Sequence, residues 1–185
     1  MEKIEEYLNI EFKKTLGNNL SLKHIIHIAL IKHATWLRWK YVKYMRKTDL
    51  YIRKKNIFSY MYFLWCERKK SKYGNILGFE INSTNIKKGI TICHNGPIVI
   101  HKNVVAGENL CLHGDNCIGN NGISDECPIL GDNVELGVGA KIIGNVKIGN
   151  NVVIGAGTIV VKDIPDDATV VGASNRIFIK QKNKE

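Results

Sequence analysis

Proline is scarce in this chain of 185 residues, and long apolar runs are missing. Three Pro stand against seventeen Gly, and the glycines follow no Gly-X-Y period, which excludes a collagen and a proline-rich disordered chain. The opening residues, Met1 to Glu6, do not resemble a signal peptide, and no apolar stretch reaches the ~18 residues that cross a bilayer. We therefore expect a folded protein that is soluble or at most peripheral to a membrane.

Cysteines are too few and too scattered for a disulfide framework. There are five, an odd number, and no two of them form a CxxC pair. This spacing predicts neither a disulfide scaffold nor a zinc ribbon, and we expect no metal site. A reducing, cytoplasmic setting fits this cysteine usage best. The five are Cys66, Cys93, Cys111, Cys117 and Cys127.

Acidic residues are scarce in the first part of the chain. Residues 1–74 carry seventeen Lys and Arg against six Asp and Glu, whereas residues 75–185 carry ten against eleven. Aromatic and basic residues interleave from Trp36 to Lys47. Such a pattern is typical of nucleic-acid contact, of a helix on an anionic membrane, or of rings packed inward beneath solvated cations. We favour the last interpretation, keep peripheral membrane contact open, and expect no nucleic acid.

Residues 1–73 have the periodicity of helices. Ile4, Leu8 and Phe12 recur at four-residue steps, and Gly17 follows Leu16 as a helix C-cap would. Ser21 is an N-cap candidate for a second, long helix that extends through Trp36. We predict an α-helical N-terminal segment over 1–73.

From about residue 76 the chain follows a period of six. The hexapeptides begin with an aliphatic residue and carry a small or β-branched residue at the fifth position, a period that a helix or a simple strand does not produce but a three-sided β-helical coil does. The first positions from Leu130 onward are Leu130, Leu136, Ile142, Ile148, Ile154 and Val160.

The same phase extends upstream. It assigns Ile100, Ala106 and Leu112 to first positions, Ile86 and Ile92 to fifth positions, and it puts His94 at a first position, where an aliphatic residue is the rule. The polar, irregular residues 119–128 interrupt the repeats and predict an extruded loop, where binding residues are often mounted. The flat faces of such a prism favour a homo-oligomer.

Two motifs carry a resemblance to a known family. The hexapeptides from Leu130 to Ile164, and the ending that runs from Val160 through Pro165 to Ile177, resemble the hexapeptide-repeat acyltransferases. Within them, residues 74–178 are most similar to serine acetyltransferases and to serine acetyltransferase-like enzymes of surface-polysaccharide loci.

The resemblance implies a mainly β fold with helices in front of it. We expect an α-helical segment over 1–73, a left-handed parallel β-helix over 74–178 and a basic tail over 179–185. It also implies a homotrimer with active sites between subunits and acetyl-CoA as co-substrate.

Three residues are candidates for catalysis by this resemblance. His94 aligns with the family's catalytic histidine, and imidazole is the commonest general base in proteins. Glu80 lies nearest to the place of a carboxylate that orients this histidine, although the family uses Asp there. His113 is matched by histidine in part of the polysaccharide branch, and we weigh a role in holding the acceptor or the oxyanion against a structural one.

The resemblance also suggests residues for the cofactor. Small residues along the coils would let the pantetheine arm reach the backbone, and two cations after the last full repeat would meet the phosphates of coenzyme A. The candidates are Gly137, Val138, Gly139, Gly155 and Ala156 for the arm, and Lys162 and Arg176 for the phosphates.

The sequence departs from the serine-specific pattern at two places. Serine acetyltransferases carry Asp directly before the catalytic histidine and an Arg-His pair before the loop-closing Pro, whereas here the residues are Cys93 and, before Pro128, Glu126 and Cys127. A buried zwitterion without charged partners is costly. We therefore expect an O-acetyltransferase acting on a sugar hydroxyl. The alternatives are a serine O-acetyltransferase and a non-catalytic scaffold whose basic arm binds a membrane or nucleic acid.

Overall fold

The computed structural model describes residues 2–17, 21–173 and 176–181, with side chains for residues 4–17 and 21–172. The chain divides into two compact units, Met1–Phe79 and Glu80–Glu185. The first is helical and the second is a β-helix.

Four helices form the first unit, with bounds α1 Glu2–Leu16, α2 Leu22–Leu30, α3 Ala34–Tyr51 and α4 Ile57–Leu77. The predicted caps are confirmed: Gly17 follows α1 with φ 102°, and the Ser21 side chain accepts a hydrogen bond from the His24 backbone. The predicted long second helix is wrong. It breaks after Leu30, where Lys32 takes a left-handed φ of 51° and His33 caps a new helix, so Trp36 belongs to α3.

The aromatic rings of α3 pack within the helical unit. Trp39 meets Phe12 of α1 edge to face with ring centroids 5.1 Å apart, and Trp36 lies 4.9 Å from Trp39. The ammonium of Lys40 lies over the Trp36 ring, and that of Lys43 over the Trp39 ring, each 4.9 Å from the centroid. Burial lowers the pKa of both lysines. These contacts support the inward-packing interpretation of the aromatic and basic pattern. Within the described residues, no helix is long and apolar enough to cross a membrane.

The second unit winds three parallel sheets around a buried aliphatic stack. Sheet A has the strand order β1-β4-β7-β10-β13, sheet B β2-β5-β8-β11, and sheet C β3-β6-β9-β12-β14-β15, where only the last pair is antiparallel. The strands are β1 Phe79–Ile81, β2 Asn85–Ile86, β3 Thr91–Ile92, β4 Ile98–Ile100, β5 Val105–Ala106, β6 Cys111–Leu112, β7 Asn116–Gly119, β8 Ile129–Leu130, β9 Glu135–Leu136, β10 Lys141–Ile143, β11 Lys147–Ile148, β12 Val153–Ile154, β13 Ile159–Val160, β14 Ala168–Ala173 and β15 Arg176–Gln181. The residues predicted as a basic tail therefore begin inside β15.

The strand register confirms the predicted phase from Ile100 onward, where Ile100 pairs with Ile118 and Leu112 with Leu136, and corrects it before Ile100. Leu130 pairs with Ile148 and Leu136 with Ile154, first position on first position. Ile92, however, pairs with Leu112, so it occupies a first position and not the predicted fifth one. Ile86 shifts in the same way, because it pairs with Ala106.

The upstream shift arises in one turn. From Ile92 to Ile100, the chain takes eight residues where a hexapeptide takes six, and the additional residues form an exposed turn around His94. The prediction that His94 takes a first position is therefore wrong. The buried first position belongs to Ile92, and His94 lies outside the stack.

Candidate active site

His94 lies in the exposed turn between β3 and β4, at a corner of the β-helix. Gly96, two residues later, has a φ of 130°, which a residue with a Cβ rarely adopts. On the next coil, Gly114 packs against His94 and has a φ of 112°, which likewise favours glycine. Glycine at both positions lets the turn fold back against the coil and present the imidazole outward.

His113 is the ring nearest to His94, with centroids 6.4 Å apart. It follows β6 on the adjacent coil, and its side chain is 31% exposed. Its Nε2 lies 2.8 Å from Oε1 of Glu135. Because a carboxylate only accepts, Nε2–H donates this hydrogen bond, which fixes the position of the proton and orients the ring.

Glu135 is a site residue that the sequence argument missed. It pairs in register with Cys111, two residues before His113, although the two are 24 residues apart along the chain. A regular coil has 18, and the extruded loop adds the rest. Counting one regular coil onward from Cys111 reaches Ile129, and Glu135 is reached only when six residues of the extruded loop are left out of the count.

Two cysteines lie beside the histidines. Cys93, which directly precedes His94, has its Sγ 3.8 Å from Sγ of Cys111, and Cys111 Sγ lies 3.8 Å from Nε2 of His113. All three side chains are half-buried. No disulfide links any of the five cysteines, all of which are described.

Asn116 braces this corner from the inside. It is 1% exposed and occupies a fifth position, where other coils carry an aliphatic or small residue. Its Oδ1 accepts from the Gly114 backbone at 2.9 Å, and its Nδ2 donates to the carbonyls of Gly137 and Ala140 at 2.9 and 3.2 Å. A buried amide with its hydrogen bonds formed holds three backbone segments in place.

Glu80, predicted as the carboxylate that orients His94, has a different partner. Its Oε1 accepts a hydrogen bond from Nδ2 of Asn82 at 3.2 Å. No hydrogen bond joins Glu80 to His94 among the contacts of the described residues. The pairing of a carboxylate with a histidine is found instead at Glu135 and His113.

The predicted loop runs from the end of β7 at Gly119 to the start of β8 at Ile129. Near its end, Cys127 is buried and its Sγ lies 3.0 Å from Nδ1 of His101. Burial raises the pKa of the Cys127 thiol, which disfavours the thiolate that a nucleophile needs. Glu126 is exposed, and its Oε2 accepts from Asn145 at 2.9 Å.

The small residues predicted to face the cofactor line successive coils. A Cβ at Gly137 would approach the backbone nitrogen of Ala156 to 2.7 Å, so the close stacking of coils by itself requires glycine there. Val138 is 51% exposed, and Ala156 and Lys162 are also exposed. Gly139 has a φ of 75° at its corner, whereas Gly155 would bring a Cβ to 3.1 Å from Val171. The backbone of Arg176 begins β15, but its side chain lies outside the described residues.

Comparisons with known proteins agree with this architecture. The family described as bacterial transferase hexapeptide (six repeats) matches residues 127–162. The inferred colanic acid biosynthesis acetyltransferase WcaB of Escherichia coli (strain K12) is 39% identical over 133 residues, which cover 69% of this chain and 80% of that protein. The serine acetyltransferase of Buchnera aphidicola subsp. Schizaphis graminum is 30% identical over 186 residues, which cover 93% of this chain and 70% of that protein.

Solved structures show the same fold. The apoenzyme of soybean serine acetyltransferase superposes with a TM-score of 0.75 at 23% identity, over 96% of this chain and 70% of that one. Serine acetyltransferase from Brucella abortus strain S19, solved in complex with coenzyme A, gives 0.58 at 19% identity, over 98% and 68%. The second unit is therefore the left-handed parallel β-helix of these enzymes, and the chain belongs to the hexapeptide-repeat acetyltransferases, the family of the serine acetyltransferases.

Proposed function

We propose that this protein transfers an acetyl group from acetyl-CoA to a hydroxyl group of a sugar or of a surface-polysaccharide precursor. The observation that carries the proposal is the similarity to WcaB, a protein named for colanic acid biosynthesis, over 80% of that protein's length. The composition of the site, in which an exposed imidazole lies beside an oriented second histidine, supports the same chemistry.

His94 is the general base of the proposed reaction. The imidazole takes the proton from the acceptor hydroxyl while the oxygen attacks the thioester carbon, and the tetrahedral intermediate collapses as the C–S bond breaks. The imidazolium then returns the proton to the thiolate of coenzyme A, so no proton is gained or lost. The exposure of His94 supports this role, because an acceptor can reach the ring from solvent.

His113 and Glu135 form a positioning pair in this proposal. The carboxylate holds the Nε2 proton of His113 and so fixes the ring at 6.4 Å, centroid to centroid, from His94. A ring held in this way can orient the acceptor or stabilise the developing oxyanion without reorganising during the reaction. Glu80 is the weaker candidate, since its carboxylate bonds to Asn82.

The cofactor is proposed to lie along the coils that carry Gly137, Val138 and Gly139 on one level and Gly155 and Ala156 on the next. Exposed small residues support the approach of the pantetheine arm to the backbone, and the exposed ammonium of Lys162 suits a phosphate. The structure of the Brucella enzyme with coenzyme A supports this choice of cofactor. We further propose a homotrimer with the sites between subunits, which light scattering at several protein concentrations would test.

A sugar acceptor is favoured over L-serine by the charges near the loop. Where the serine-specific pattern carries an Arg-His pair, this chain has Glu126, which bonds to Asn145, and the buried Cys127. Neither offers a cation to a carboxylate. Moving a zwitterionic amino acid from water into this site would therefore cost a desolvation free energy that no charged partner offsets. A neutral sugar does not carry this cost.

The test is release of free coenzyme A from acetyl-CoA with a panel of acceptors that contains nucleotide sugars, surface glycans and L-serine. We expect turnover with a sugar and a loss of about 10²–10⁴-fold in His94→Ala, the usual contribution of a positioned base. His24→Ala, in α2, is the control. Turnover with L-serine alone would favour the alternative, which the Buchnera relative supports, and no turnover with any acceptor would favour a scaffold.

A second pair of variants distinguishes the role of the Glu135 carboxylate from that of Glu80. We expect Glu135→Gln to lower kcat/KM by about tenfold or more, because loss of the carboxylate that orients a metal-ligating histidine typically costs 10–100-fold and Glu135 orients His113 through the same kind of hydrogen bond. Glu80→Gln should have the smaller effect. The reverse order would restore Glu80 as the residue that orients the base.

A further inference from the structure

Three soft metal ligands converge on one face of the β-helix, beside His94. Among the described residues, Cys93, Cys111 and His113 are the one group of three or more histidine, cysteine or acidic side chains whose ligand atoms all lie within 4.8 Å of one another. Thiolate sulfur with imidazole nitrogen is a donor set that selects Zn²⁺ over Mg²⁺ or Ca²⁺.

Two of the three separations are close to the edges of a tetrahedral site. With bonds of about 2.3 Å to sulfur and about 2.0 Å to nitrogen, tetrahedral geometry separates two sulfur ligands by about 3.8 Å, and sulfur from nitrogen by about 3.5 Å. The Sγ atoms of Cys93 and Cys111 are 3.8 Å apart, and Cys111 Sγ lies 3.8 Å from His113 Nε2. The third separation, from Sγ of Cys93 to a ring nitrogen of His113, is within 4.8 Å, against about 3.5 Å in a tetrahedral site, so binding one ion would draw these two side chains together.

The strands hold these ligands in place. Cys111 and His113 are two residues apart on the strand and its extension, so they share one face. Cys93 and His113 follow Ile92 and Leu112, which pair across adjacent coils. A site built on paired strands is preorganised, because the rigid backbone already fixes the ligand positions.

The ligands occur without the CxxC spacing that a zinc site usually shows in sequence. Cys93 and Cys111 lie on adjacent coils, since Cys111 pairs with Thr91, two residues before Cys93, so neighbouring coils bring together what adjacent residues provide in a zinc ribbon. The absence of local cysteine pairs in the sequence therefore predicted no metal site. The cluster departs from that expectation.

We propose that Cys93, Cys111 and His113 bind a Zn²⁺ ion on the outer face of the β-helix. Binding releases the two thiol protons, and the proton on Nε2 of His113 moves to Nδ1, because a ligating nitrogen needs its lone pair. The hydrogen bond to Glu135 is then lost. The Glu135 carboxylate, at 2.8 Å from Nε2, is near enough to become the fourth ligand.

Cobalt(II) is the probe, because it takes tetrahedral sites for zinc and gives a thiolate-to-metal charge-transfer band. The untagged, full-length chain is reduced, freed of metal and of reductant, and titrated with Co²⁺ and then with Zn²⁺. We expect a charge-transfer band that saturates at one Co²⁺ per chain and disappears when Zn²⁺ displaces it. The assay needs neither acetyl-CoA nor acceptor, so failure of the metal site and failure of the proposed function are distinguishable, although a bound ion and the His113–Glu135 hydrogen bond of the proposed reaction exclude each other.

The variants make the assignment specific. The double variant Cys93→Ser/Cys111→Ser should lose the band while its circular dichroism stays that of the wild type. His113→Ala should bind Co²⁺ more weakly by more than the 10–100-fold that a missing outer-shell partner typically costs. Cys117→Ser, a half-buried cysteine on sheet A, is the matched control and should bind as the wild type does.

Three results would overturn the proposal. One is the absence of a charge-transfer band in the reduced wild type. Another is a band that persists in the double variant or disappears in Cys117→Ser. The third is a disulfide between Cys93 and Cys111 that forms again in the metal-free protein before titration, seen as the loss of two titratable thiols.

Discussion

The two units of this protein bury polar side chains of different kinds. The helical unit buries a charged pair: Glu11 and Arg46 are 0% and 3% exposed, and the guanidinium donates to Oε1 of Glu11 at 2.6 and 3.0 Å. The described part of the β-helix buries only neutral polar residues, which are Ser83, Asn116 and Thr158.

The difference follows from repetition. In the β-helix, the backbone N–H and C=O groups of each coil form hydrogen bonds with the next coil, and each buried aliphatic residue packs on another of the same kind. The chain therefore needs no unique contact to set the register of its strands. The helices have no such period between them. A buried ion pair fixes how α1 packs against α3, because only one packing arrangement pairs the two charges. In any other arrangement a charge would be buried without its partner, at a large cost in free energy.

The largest effect is expected from breaking that ion pair. Arg46→Met leaves the Glu11 carboxylate buried without its guanidinium, and we expect a loss of about 3–5 kcal/mol in the free energy of unfolding. Urea denaturation followed by the circular dichroism of the helices measures it.

Two further variants check the cause of this loss. Arg53→Met, which removes an exposed arginine just after α3, should cost less than about 0.5 kcal/mol. Glu11→Leu combined with Arg46→Leu should recover much of the loss, because the buried charge is gone. A loss below about 1 kcal/mol in Arg46→Met would show that the pair does not organise the helices.

The next effect depends on pH and arises at Asp49, one turn after Arg46. Burial raises the pKa of Asp49 to about 6 from an ordinary value of 3.8, against the opposing attraction of Arg46, whose Nη1 is 3.9 Å away. Because the folded state holds this proton more tightly, the contribution of Asp49 to stability is fully present below pH 3.8 and is lost as pH rises through about 6.

Asp49→Asn removes this titration. Relative to the wild type, the variant should gain stability between about pH 4 and about pH 7.5, by at most about 3 kcal/mol for the difference between the two pKa values. The stability difference between variant and wild type, measured at both pH values, isolates Asp49 from the other acids. Asp125→Asn, in the exposed loop, is the control. A difference that does not change with pH would contradict the expectation.

The comparison also explains how much could be predicted from the sequence. The period of six fixed the β-helix from Leu130 onward, because each coil has the same length. It failed at Ile92, since the turn around His94 has two additional residues and nothing in the hexapeptide pattern marks an insertion of that size. His94 was singled out because it broke the aliphatic rule at a first position, but it lies in the additional turn and not at a first position, so its candidacy depends on the family resemblance.

The site partners were harder to predict than the site residue. Glu135 contacts His113 only because the loop lengthens one coil to 24 residues. The regular repeat length therefore does not predict that these two residues are neighbours. The break before α3 was missed for a related reason. Lys32 in a left-handed conformation carries no sequence signal of its own, whereas a glycine would have marked the end of the helix.

The smallest effect concerns the backbone at a corner of the β-helix. Asn109, Asn133, Asn151 and Asp167 stack at successive coils, all with φ between 56° and 61°. The amide of each asparagine donates to the next side chain at 2.8 to 2.9 Å. Left-handed backbone costs an ordinary residue about 1–2 kcal/mol but costs glycine almost nothing. At Asn133, we therefore expect alanine to destabilise the protein more than glycine, by about 1 kcal/mol.

The helical unit should show the opposite order, which makes the two units a matched pair. Arg68 is exposed in the interior of α4, and there glycine should destabilise the protein more than alanine, by about 1 kcal/mol. Four variants, Asn133→Ala, Asn133→Gly, Arg68→Ala and Arg68→Gly, are compared by urea denaturation. If glycine were worse than alanine at both positions, the left-handed backbone would not account for asparagine at these corners, since both substitutions remove the side-chain ladder and only alanine meets the backbone penalty.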